Sequence, residues 1–133
     1  MVIFVNGELM RGLSMHDMMQ GAQYIEDAVT APIYRLFSID DRYPAMVMAR
    51  AFEKGYGIPG EIYDIPESLW PGVMANERRL GLYAGPIWLS EGRAMRGILS
   101  VRELCEGYFD ISSEGGWRTY RERIDPAQRQ EKS

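Results

Sequence analysis

Cysteine and histidine are almost missing from this chain: its 133 residues hold one of each, Cys105 and His16. One cysteine leaves no internal disulfide, and one cysteine with one histidine leaves no zinc-type ligand set, so neither a structural metal nor a cofactor is expected. Glu103 and Glu106 flank Cys105 and disfavour its thiolate, which argues against a nucleophilic cysteine. A basic excess is missing too, with 15 Lys and Arg against 19 Asp and Glu and a net charge of -4. Counterion release then contributes little, and nucleic acid is not an expected partner. No apolar run approaches the roughly 20 residues of a membrane span. The opening Met1 to Gly7 lacks the basic start, long apolar stretch and cleavage site of a leader. A cytoplasmic protein without a membrane partner is therefore expected. Neither a Gly-x-Ser-x-Gly elbow, nor a P-loop, nor a dinucleotide fingerprint is present, which removes the serine-hydrolase, ATP and NAD readings.

What is present fits one globular domain. The chain is 46% hydrophobic and 26% charged, far from the composition of disordered segments. At this length it can bury about two thirds of the surface of its unfolded form. We read residues 1–124 as one domain and 125–133 as a flexible tail, because the tail has no periodicity. Val2 to Val5 is β-branched and aromatic and runs into Asn6-Gly7, as a buried strand runs into a turn. Ser14 is placed to cap a short helix over 15–20, with Met15, Met18 and Met19 as core filler. Runs at 23–30, 34–38 and 45–48 read as a β-meander. Glu61 to Ile65 alternates as on a half-buried strand. Pro66-Glu67-Ser68 opens a helix with Leu69, Trp70, Val73 and Met74 on its apolar face. Residues 87–89 and 94–99 flank a glycine turn as a hairpin, and a helix over 101–105 follows. Trp117 and Tyr120, three apart on a last helix, close the core.

Several of these stretches, in this order, resemble a known family. Phe4-Val5-Asn6-Gly7-Glu8-Leu9-Met10-Arg11-Gly12, Ala31 to Leu36, Tyr43-Pro44-Ala45 and Gly60-Glu61-Ile62-Tyr63 resemble segments of gamma-glutamylcyclotransferase-like proteins. Gly81 to Pro86, Glu91-Gly92-Arg93, Gly97-Ile98-Leu99 and Asp110-Ile111-Ser112 followed by Gly115 to Tyr120 resemble the bacterial branch related to the allophanate hydrolase C-terminal domain. The resemblance spans about residues 2–122. It implies an α+β fold, a small mixed β-barrel with flanking helices, and a pocket formed partly by the N-terminal glycine loop.

The resemblance also implies site residues. Asn6, Gly7, Glu8 and Leu9 match a loop whose backbone amides hold a substrate carboxylate, as other backbone nests hold anions. Asn6 stands where tyrosine is usual and Glu8 where a small hydroxyl residue is usual. If Glu8 points inward it repels a carboxylate; the commoner placement of such a side chain is in solvent. Glu77 matches a glutamate that shuttles the proton, and its alternative role is a solvated pair with Arg78 or Arg79. His16 falls near a histidine of the allophanate-hydrolase branch, and a neutral imidazole there can exchange a proton near pH 7; a surface or capping role is its alternative. Tyr83 is the further substrate-binding candidate, while Tyr43, Arg35 and Trp117 are read as mouth or packing residues.

The function so implied is a gamma-glutamylcyclotransferase-type enzyme that cleaves a gamma-glutamyl amide or related small amide and releases an amine and 5-oxoproline. Two alternatives stand beside it. One is an allophanate-hydrolase C-domain-like enzyme acting on a small N-carboxylated compound through His16. The other is a non-catalytic small-molecule binding module. The expected partner is a small-molecule substrate, and the expected state a monomer or homodimer.

Overall fold

The computed structural model describes residues 1–125, so nearly all of the expected tail at 125–133 lies outside the described residues. The first strand, β1 (Val2–Val5), has its last three residues buried. Apolar on both sides, it suits only an interior position in a sheet. It lies third in a five-stranded sheet of order β2-β5-β1-β7-β6, built with β2 (Gln23–Val29), β5 (Pro59–Asp64), β6 (Leu82–Trp88) and β7 (Ala94–Ser100). β1 runs antiparallel to β5 in the register Val2↔Asp64 to Val5↔Glu61 and parallel to β7 at Phe4↔Gly97. Gly60 on β5 is needed for this packing, since a Cβ there would lie 2.4 Å from both Phe4 Cζ and Val5 O.

A second sheet has the order β4-β3-β8, from β3 (Tyr34–Ile39), β4 (Tyr43–Met48) and β8 (Phe109–Asp110). Asp40 and Asp41 turn the β3–β4 hairpin at φ 53° and 59°, a conformation that aspartate tolerates better than most residues. The Asp41 carboxylate accepts bonds from Ser38 Oγ at 2.6 Å and Tyr120 Oη at 2.5 Å. These donors hold it below the usual carboxylate range.

Three expectations are corrected here. The meander from 23 to 48 does not form, because β2 pairs with β5 while β3 pairs with β4. The helices expected over 15–20 and 101–105 are single 3-10 turns, His16–Met19 and Arg102–Cys105. The barrel is not closed either: the described residues form two open sheets. The edges of the larger sheet meet at one end only, where Thr30 bridges Leu89 and Ala31 N–H donates to Trp88 O at 2.9 Å. Pro32 follows at once, and having no N–H it cannot extend that ladder. The 82–88 and 94–100 hairpin is as read, at fuller length.

Two helices complete the fold. α1 (Trp70–Arg79) has Pro71 in its first turn, where a missing N–H costs no intrahelical bond. α2 (Trp117–Ile124) starts from Gly116 at φ 100°, a backbone state open to glycine and strained for other residues. Trp117 and Tyr120 do close the core, with ring centroids 5.8 Å apart and both side chains buried.

Candidate active site

Helical spacing on α1 brings Glu77 to the interior. Val73 and Glu77 are four apart and share a face, as do Val73 and Asn76 at three, and all are buried with Met74. The face that packs inward thus begins apolar and ends polar. Glu77 is 5% exposed, and its carboxylate has no hydrogen-bond or ion-pair partner among the described residues. Burial with no compensating donor disfavours the anion and pushes its pKa up to about 7. The alternative pairing with Arg78 or Arg79 is not made; both arginines are exposed, and Arg79 donates to Asn76 Oδ1 instead.

Glu77 faces a small cavity of about 20 Å³. The last residue of β1 and the loop after it form one wall, from Val5 to Leu9, and Met15, Tyr43, Pro44, Leu80, Leu82 and Ile98 line the cavity with them and Glu77. The sequence-derived loop residues Asn6, Gly7, Glu8 and Leu9 are therefore brought together with Glu77. The N–H groups of Gly7, Glu8 and Leu9 have no acceptor among the described residues, whereas Met10 N–H closes a turn onto Gly7 O at 3.0 Å. Asn6 Nδ2 lies 3.3 Å from Met46 Sδ. Tyr43 also lines the cavity, with Oη donating to Leu80 O at 2.7 Å.

Glu8 departs from the solvent-facing placement. It is 6% exposed, and its carboxylate accepts Ser14 N–H at 3.2 Å, Ser14 Oγ–H at 2.5 Å and Trp117 Nε1–H at 2.5 Å. Three donors, two of them at short distance, make burial of the acid tolerable. Ser14 accordingly does not cap the 16–19 turn, whose N-cap is Met15.

His16 and Tyr83 are not brought to the cavity. His16 sits half-buried with Nδ1 at 2.8 Å from Leu9 O, so the proton on that nitrogen points at the loop backbone. Strand alternation on β6 turns Leu82 into the cavity wall and leaves Tyr83 44% exposed on the other face. Arg35 lies elsewhere, paired with Asp110.

Sequence reasoning missed the anchor beneath the loop. Glu61, 3% exposed, accepts Arg11 N–H and Tyr63 Oη–H on Oε1, each at 2.9 Å, and Arg11 Nε at 3.1 Å with Arg118 Nη2 at 3.0 Å on Oε2. Alternation at Glu61 and Tyr63 suggested a half-wet strand, but both faces of β5 are covered. A wider cleft of about 300 Å³ lies beside these arginines. Their charges there are matched by Glu61 and Asp27.

With this geometry in hand, similarity to known proteins can be placed on it. Over 90% of its length and 93% of the other chain, this chain is 36% identical to a protein specific to uropathogenic E. coli, with a TM-score of 0.83. The allophanate hydrolase of Kluyveromyces lactis matches 93% of this chain at 23% identity and a TM-score of 0.83, and the matched part is 21% of that enzyme. A gamma-glutamyl cyclotransferase shares the fold at 12% identity and a TM-score of 0.53, over 98% of this chain and 84% of the other. No match is found among curated protein sequences. Residues 1–122 match the family model of the allophanate hydrolase C-terminal domain, and the chain belongs to that family.

Proposed function

We propose that the protein is an acid/base enzyme acting on a small amide, of the cyclotransferase type, with Glu77 as the proton carrier. One observation carries this reading: a buried, unpartnered carboxyl group, pushed up to about 7, faces a cavity walled by a glycine loop with unspent N–H groups. A pKa near the working pH lets one group act first as base and then as acid. Glu77 would take a proton from the substrate's ammonium, freeing its lone pair to attack the amide carbonyl carbon. The carbonyl oxygen gains the electron pair as the ring closes, and the N–H groups of Gly7, Glu8 and Leu9 are suited to receive that developing charge. Collapse of the oxyanion then breaks the C–N bond: the leaving nitrogen takes the first proton back from Glu77, the ring nitrogen gives up its second proton through the same carboxylate, and the amine departs as its ammonium form. With a gamma-glutamyl amide the products are 5-oxoproline and the amine. At about 20 Å³ the cavity beside Glu77 admits a water-sized group, which suits the reacting nitrogen.

The family match favours a second reading, an allophanate-hydrolase C-domain-like enzyme acting on a small N-carboxylated compound. His16, bonded to Leu9 O and outside the cavity wall, gives that chemistry less support than Glu77 gives the first. The test is 5-oxoproline release from a panel of gamma-glutamyl amines by wild type, Glu77→Gln and His16→Asn. Release by wild type, at least about 100-fold lower in Glu77→Gln and retained in His16→Asn, is expected. Full activity of Glu77→Gln would remove Glu77 from the mechanism.

A further inference from the structure

The lone histidine takes no part in the chemistry proposed above, yet it is tied to the loop that does. His16 Nδ1 lies 2.8 Å from Leu9 O, and a carbonyl oxygen can only accept, so the proton sits on Nδ1. Nε2 has no hydrogen-bond partner among the described residues, and the ring leans on Tyr63 with centroids 6.0 Å apart. The backbone of His16 is fixed as well, its N–H donating to Leu13 O at 3.1 Å. His16 does not line the cavity, so its route to the site is the bond to Leu9.

A trans peptide points its C=O and its N–H in opposite directions, and the described residues contain no cis peptide. The bond from His16 therefore starts a line. Leu9 O accepts from the imidazole, and the N–H of the same peptide unit, which is that of Met10, donates to Gly7 O at 3.0 Å. The N–H of that second unit is that of Glu8, a cavity-wall residue, and it has no acceptor among the described residues. Two peptide dipoles thus run head to tail from the imidazole to the free Glu8 N–H. Each bond in such a chain polarises the next. The neighbouring unit is held in the same way: Met15 N–H donates to Glu8 O at 3.0 Å, which aims the Leu9 N–H the other way. We propose that His16 is a positioning residue for the oxyanion donors, its Nδ1–H orienting and polarising the peptide chain that ends on the Glu8 N–H. It exchanges no proton with the substrate. This role rests on the acid/base reading above, which supplies the oxyanion.

A donor can be replaced where a proton carrier cannot. Asparagine carries Nδ2 the same number of bonds from Cα as the imidazole carries Nδ1, so His16→Asn keeps the bond to Leu9 O and His16→Leu removes it. In 5-oxoproline release from gamma-glutamyl amines, His16→Leu is expected to lower kcat about tenfold with KM little changed, short of the roughly 10²–10³ lost with a direct oxyanion donor. His16→Asn is expected to stay within about threefold of wild type. His16→Asn as slow as His16→Leu would make the imidazole a proton carrier and overturn the proposal, as would His16→Leu at the wild-type rate. Two signals need no kinetics. The ¹⁵N spectrum of the neutral ring in the wild-type protein is expected to show the proton on Nδ1, and a proton on Nε2 overturns the proposal without any variant having to fold. The Glu8 amide proton is expected to move upfield in His16→Leu and to hold its place in His16→Asn. If the wild type turns over no amide, the acid/base reading fails, while the ring proton and the Glu8 signal still decide whether His16 holds the loop.

Discussion

Glu77 couples the stability of the fold to pH. Its folded pKa of about 7 lies above the 4.5 of a free side chain, so the folded state binds the proton more tightly than the unfolded chain. Stability is then greatest below about pH 4.5 and falls as pH rises to about 7, by up to about 3 kcal/mol from this group. Glu77→Gln keeps the shape and removes the charge. It should raise the urea midpoint at pH 8, leave it nearly unchanged at pH 4, and lower amide turnover at least about 100-fold. Equal midpoints of the two proteins at pH 8 would mean that Glu77 is solvated. The sequence could nominate Glu77 only through the family resemblance, because a glutamate before two arginines at a helix end is ordinarily a surface residue. Its burial follows from which face of α1 meets the sheet, a tertiary fact. Glu8 misled for the same reason: its donors, Ser14 and Trp117, stand 6 and 109 residues away, and only the nearer lies within reach of local pattern.

At the scale of elements, the loop after β1 is fixed from two sides. Glu61 on β5 binds Arg11 and Arg118, and Trp117 on α2 binds Glu8. Either arginine alone is partly exposed, so Arg11→Met or Arg118→Met should cost on the order of 1 kcal/mol. The double variant should cost clearly more than the sum, since it leaves the Glu61 charge buried with only Tyr63 Oη and a backbone N–H. Additivity in urea unfolding would show that the two pairs act independently. Trp117→Phe preserves the ring packing and removes one donor from the Glu8 carboxylate, at a cost of about 1–3 kcal/mol. The hairpins and the helix after Pro66 were legible because turn chemistry and period settle them locally. The assignment of β2 to β5, and of β8 to the smaller sheet, was not, since strand partners depend on burial that no single run encodes.

For the whole molecule, the decisive feature is one apolar cluster shared by both sheets, in which Phe4, Tyr34, Leu36, Tyr63 and Trp117 are all essentially inaccessible. Two open sheets with a common interior should unfold together. Tryptophan fluorescence and far-ultraviolet circular dichroism are expected to give coincident urea transitions, and two separate midpoints would mean that the sheets are independent units. The family resemblance anticipated the mixed α+β class and the pocket beside the first loop. It did not anticipate open sheets, because whether edge strands join is decided by a few backbone groups such as those around Pro32.

The bond from Trp117 to Glu8 spans 109 residues, and this separation bears on the order in which the molecule assembles. A ribosome delivers residue 8 long before residue 117, and the strand just before the loop needs β5 on one side and β7 on the other. Contacts of such range form slowly and late, after much of the chain has been ordered. The cavity beside Glu77 is thus a product of complete folding, and a nascent or truncated chain ending before α2 would carry every residue of the cavity wall and still lack the donor that Trp117 gives to Glu8.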